Sequence, residues 1–106
     1  MWAQIIKTRL KAGKDAELVT LSEQLRAIEE PDSGLLRTTL MRDGHDPSAV
    51  YFMVVFESEE KARARESDPR RQDGLKAARE TMAEIFDGPP EFLDLTVLDE
   101  VATATP

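Results

Sequence analysis

The chain has 106 residues, no cysteine and a formal charge of −7. That length fits one domain, and 41% hydrophobic with 33% charged residues is the mix of a folded chain rather than a disordered one. Composition excludes disulfides, thiolate metal sites and cysteine nucleophiles, and the longest uncharged apolar run, Ala49 to Phe56, has eight residues where a membrane helix needs roughly 20.

Trp2 to Leu10 reads as a strand, with Ile5 and Ile6 β-branched and Ala12-Gly13 ending the run. Lys14 to Glu30 reads as a helix whose Leu18, Leu21, Leu25 and Ile28 recur every three or four residues, and Pro31 with Ser33-Gly34 stops it. Leu35 to Arg42 is a second strand, and Asp43-Gly44 and Asp46-Pro47-Ser48 supply a turn. Ala49 to Phe56 is the clearest strand. Ser58 caps the next helix, with Glu59 and Glu60 in its first turn. Asp68-Pro69 interrupts that helix and opens another. Leu75, Ala78, Met82 and Ile85 form the new stripe, Gly88-Pro89-Pro90 ends it, and Phe92 to Leu98 alternates as a last strand.

The order is βαββαβ, the ferredoxin-like α+β plan with a four-stranded antiparallel sheet and helices on one face. Residues 1–98 form this domain, and 99–106 read as a flexible tail. The strand at 49–56 breaks the alternation of a half-covered sheet. Val50, Phe52, Val54 and Phe56 point one way, and Tyr51, Met53 and Val55 point the other. One layer of helices covers only the first set. A second copy of the chain is the simplest cover for Tyr51, Met53 and Val55, so a two-fold homodimer is expected.

Charge is unevenly placed. Residues 81–106 carry six acids (Glu84, Asp87, Glu91, Asp94, Asp99 and Glu100) and no base. That argues against nucleic acid as a partner, and no basic amphipathic helix suggests a membrane partner. Lys7 and Arg9 interrupt the N-terminus before a signal-peptide core forms, so a cytoplasmic location is expected.

The chain resembles the antibiotic-biosynthesis-monooxygenase-like family. The resemblance rests on Leu10-Lys11-Ala12-Gly13-Lys14 after the first strand and on Val54-Val55-Phe56-Glu57-Ser58-Glu59-Glu60 leading into Ser67-Asp68-Pro69. Asp87-Gly88-Pro89-Pro90 before the last strand adds to it. It implies a dimeric α/β barrel with a ligand pocket between sheet and helices. The activities it implies include cofactor-independent oxygenation of small aromatic or polyketide-like substrates, and haem degradation. The haem-degrading pattern of Asn, Trp and His is missing: there is no Asn in the chain, and Arg71 to Lys76 has no His. No cofactor and no metal are expected.

Candidate ligand-pocket residues are Trp2, Gln4, Arg37, His45 and Tyr51. Trp2 offers a stacking surface or a packed strand end. Tyr51 offers a hydroxyl that needs a partner once buried. Gln4, Arg37, Thr38 and Thr39 are polar residues on strands, which under cover must be paired or line a wet cavity. Arg37 has the fork to hold a carboxylate or phenolate. His45, the only histidine, lies between Asp43 and Asp46, where it is either a base or metal ligand or part of an ordinary turn. Arg63, Arg65, Arg70, Arg71 and Arg79 suggest an anion site, but interleaved acids favour a solvated face of exposed ion pairs. Two functions stay open: a cofactor-free oxygenase, and a non-catalytic module for ligand binding or assembly.

Overall fold

The computed structural model describes residues 1–103; the end of the expected tail, 104–106, lies outside them. The elements are β1 (Trp2–Arg9), α1 (Asp15–Ala27), β2 (Leu35–Arg42), β3 (Ala49–Phe56), α2 (Glu59–Glu66), a 3-10 turn (Pro69–Arg71), α3 (Gln72–Ile85) and β4 (Glu91–Thr96). They form one antiparallel sheet in the order β2-β3-β1-β4. This is the ferredoxin-like α+β plan, with the second helix broken at Asp68-Pro69. Ser58 caps α2, its Oγ accepting from the Lys61 N–H at 3.2 Å.

The largest departures from expectation are at the end of α1 and in β4. Helix α1 stops at Ala27 rather than Glu30, because Pro31 disfavours helical geometry in the residue before it and the chain unwinds ahead of it. Strand β4 covers Glu91–Thr96 rather than 92–98. Its pairing with β1 begins at Glu91, opposite Lys7, and ends at Thr96, opposite Trp2.

Pairing fixes the faces. Three rows run across all four strands on the helix-facing side of the sheet. The first is Leu40–Phe52–Ile6–Phe92, the second is Thr38–Val54–Gln4–Asp94, and in the third Leu35, Phe56, Trp2 and Thr96 are joined. A bulge between Leu35 and Arg37 inserts Leu36, so Leu35 shares a face with Thr38 and Leu40 while Arg37 turns to the other.

The core follows these rows. A main cluster holds Leu10, Leu18, Leu21, Val50, Phe52, Ala78 and Ile85 under α1 and α3. A separate cluster of Trp2, Phe56 and Ala62 lies under α2. Met41 and Phe92, apolar by type, are 40% and 55% exposed because both lie on edge strands.

Helices α1 and α3 close tightly at Gly74. A Cβ there would lie 2.1 Å from Ile28 Cγ2. Helix propensity alone favours alanine over glycine by about 1 kcal/mol. The overlap reverses the sign, and Gly74→Ala is expected to lose about 1–3 kcal/mol. Thermal denaturation checks this; a variant as stable as the parent would show that the two helices do not meet there.

Candidate functional site

The middle row of the sheet explains a hole. Thr38, Val54 and Gln4 are short or polar, and they lie between two apolar rows that hold separate core clusters. The helices separate above them, α1 and α3 over one cluster and α2 over the other. The space left is a cavity of about 510 Å³ between sheet and helices. That volume is within the range of small-molecule sites.

Its floor is Trp2, Gln4, Ile6, Thr38 and Val54, and Phe52 and Phe56 close the two ends. Gln4 is oriented by donating from Nε2 to Asp94 Oδ1 at 2.8 Å. Asp94 also accepts from Arg63 Nη2 at 2.9 Å. The Gln4 hydrogen bond, then the Arg63 bond, hold the Asp94 carboxyl below the usual range. Arg63 in turn lies 5.1 Å over the Trp2 ring, which fixes that indole against its strand.

The roof is built where α1, α2 and the 3-10 turn converge. Arg65 grips Glu29 side-on, with Nη2 to Oε1 at 2.6 Å and Nε to Oε2 at 3.0 Å. Burial works to raise the Glu29 carboxyl. Hydrogen bonds from Arg65 and Ser33, with the charges of Arg65 and Arg71, outweigh it and hold the group below its ordinary value near 4.5. A carboxyl depressed in the folded state stabilises the fold above that ordinary value, and the contribution fades as pH falls through the folded one.

Arg71 is the residue the sequence reading left on a solvated face, and the structure corrects this: it is 3% exposed. The Asp68-Pro69 break places it there. Asp68 Oδ1 accepts from the Arg70 N–H at 2.9 Å and nucleates the 3-10 turn, which carries Arg71 inward. Its Nη1 donates to the Arg65 carbonyl at 3.3 Å, while its Nε finds no acceptor among the described residues. Arg63 and Arg70 do lie on the surface in ion pairs, Arg70 with Asp68, Asp32 and Glu30.

The expected pocket residues divide. Trp2 and Gln4 line this cavity. Tyr51 and Arg37 are on the opposite face of the sheet, as their registers with Lys7 and Val55 require. Arg37 Nη2 donates to Glu100 Oε1 at 2.6 Å, and the Val97 N–H donates to the Met1 carbonyl at 3.2 Å. Residues 97–100 therefore pass from β1 to β2 across one end of that face. Beneath them, Ala3 and Val55 are 7% and 3% exposed. His45 stays in the β2–β3 turn, its N–H donating to Asp43 Oδ1 at 2.7 Å. Among the described residues no group of three or more His, Asp and Glu is placed to hold a metal ion, and no helix is long and apolar enough to cross a membrane.

The model of the antibiotic biosynthesis monooxygenase family matches residues 1–77. Among solved structures, a "putative antibiotic biosynthesis monooxygenase" from Nitrosomonas europaea is 18% identical with a TM-score of 0.72, covering 93% of this chain and 100% of its own. A protein of the same description from Chloroflexus aurantiacus J-10-fl is 26% identical with a TM-score of 0.66, covering 95% and 96%. The NE2512 protein of unknown function from Nitrosomonas europaea is 18% identical with a TM-score of 0.71, covering 98% and 95%. No functionally curated protein matches the sequence significantly.

Proposed function

The chain belongs to the antibiotic biosynthesis monooxygenase family, and from that premise we propose that it is a small-molecule-handling protein whose ligand is a small aromatic or polyketide-like molecule held in the cavity between sheet and helices. The observation that carries this reading is the cavity itself. About 510 Å³ of space lies between sheet and helices, next to two separate core clusters. Aromatic surfaces in the floor and at the ends (Trp2, Phe52, Phe56) and polar groups in the floor (Gln4, Thr38) suit a planar ligand with oxygen substituents.

The reaction proposed is cofactor-independent monooxygenation. A phenol able to form a carbanion supplies the electrons, one atom of O₂ enters the substrate, and the other leaves as water. The protein's part is to hold the substrate, exclude water and orient its oxygen toward Gln4 and Thr38. A second reading, binding without turnover, is favoured by one observation. No histidine or tyrosine lines the cavity, and its Glu29 carboxylate is committed to Arg65. Incubation with anthrone under ¹⁸O₂, followed by mass spectrometry, separates the two. A quinone carrying one labelled atom, formed faster than without protein, supports the oxygenase. Anthrone retained unchanged supports binding alone, and neither product nor retained ligand overturns the cavity reading.

We also propose a two-fold homodimer through the opposite face of the sheet. Tyr51 and Met53 lie there half-buried, with Met41, Leu93 and Leu95 exposed around them. Val55 is already covered within one protomer, so the interface rests on the Tyr51–Met53 end.

A further inference from the structure

We propose that the cavity selects a ligand bearing a carboxylate, and that Arg71 is the group that pairs with it. This deepens the reading of the cavity as a ligand site and rests on it.

Three observations converge. First, the chain carries −7 overall, yet four arginines (Arg26, Arg65, Arg71 and Arg79) line the cavity against two glutamates, Glu29 and Glu66. The cavity of an acidic protein is thus lined by an excess of positive charge. Second, that charge is not neutralised from within. Glu29 is taken by Arg65 through both carboxylate oxygens. Glu66 is taken by Arg63 on the surface at 3.0 Å. Among the described residues Arg71 is left with one hydrogen bond, to the Arg65 carbonyl, and none to a carboxylate. Third, Arg71 is 3% exposed and its Nε has no acceptor. A guanidinium withdrawn from water and left short of a partner is costly to the fold. An arriving anion that fills that vacancy recovers the cost as binding energy.

Burial, with repulsion from Arg65, disfavours the charged form of Arg71, and Glu29 and Asp68 only partly offset this. The site therefore gains from a negative charge rather than from a neutral acceptor. A carboxylate fits better than a phenol, because it is ionised at neutral pH whereas an ordinary phenol titrates near 10. The planar fork of the guanidinium also matches its two oxygens. The apolar body of the ligand would then lie toward Phe56, Trp2 and Val54, and the acid toward the helix junction.

The test compares 2-naphthoate with its neutral isostere 2-naphthamide by isothermal titration, using wild-type protein and Arg71→Met. In the wild type the acid is expected to bind at least tenfold tighter than the amide. In Arg71→Met that preference disappears, while the amide binds within about threefold of its wild-type affinity. Should the variant fail to fold, the wild type still decides. The Arg71 Nε–H resonance is expected to shift on adding naphthoate and to stay in place with naphthamide. Equal wild-type affinities overturn the proposal and leave the cavity reading standing. So does a preference that survives in Arg71→Met, or an unmoved Nε–H. Binding of neither compound overturns both.

Discussion

Phe56→Ala is expected to lose about 3–5 kcal/mol, the cost of emptying a buried aromatic site. Phe56 is 2% exposed and joins Trp2 across the sheet with ring centroids 6.1 Å apart. The Arg65 guanidinium lies 5.2 Å over its ring, so truncation removes both contacts at once. The loss is expected within that range because Phe56 is almost fully buried beside Trp2 and Ala62. For a domain of this length the melting temperature should fall by more than roughly 12 °C. Leu98→Ala serves as the control: Leu98 is 95% exposed and should change stability by less than about 0.5 kcal/mol. A Phe56→Ala variant that melts within a few degrees of the wild type would remove Phe56 from the core.

Met53→Glu is expected to break the homodimer while leaving the protomer folded. Met53 pairs with Ile5 and Thr39 on the face away from the helices, and in a single chain it is half-buried, so a glutamate there still reaches water. In a two-fold interface the same face meets itself. Two carboxylates are then buried in an apolar contact, with a penalty of about 3 kcal/mol or more, which is at least 100-fold in the dissociation constant. Sedimentation equilibrium at micromolar concentration should show a dimer for the wild type and a monomer for the variant, with far-ultraviolet circular dichroism unchanged. A variant that stays dimeric would move the interface to another face. A monomeric wild type would remove it.

The sheet was legible because its strands are bounded by strong turn chemistry. Asp43-Gly44 and Asp46-Pro47-Ser48 set both inner ends of the β2–β3 hairpin, so both strands match the expectation at each end. The two-sided apolar character of β3 was legible for the same reason that strands alternate. The cavity was half legible: Gln4 and Thr38 stand out as polar residues on strands, and both line it. Its other wall was hidden by two local events. The bulge at Leu36 shifts alternation by one residue, so Arg37 and Thr39 face away from the cavity while Leu35 turns toward it. Alternation by itself does not reveal where an extra residue is inserted. Arg71 was hidden because charge interleaving on a continuous helix means a solvated face, and the helix here is not continuous. The Asp68-Pro69 break was visible. That it turns Arg71, and not Arg70, under the Arg65 carbonyl depends on how α2 and α3 meet the sheet, which no local pattern encodes.

We propose that a small ligand binds on the helix-covered side of the sheet and not on the opposite side. Backbone amide chemical shifts during a titration with 2-naphthoate test it most directly. Saturable shifts are expected at Trp2, Gln4, Thr38, Val54 and Arg71, with Tyr51, Met53 and Thr39 little changed. Shifts centred on Tyr51, Thr39 and Arg37, with the residues of the cavity floor silent, would contradict it.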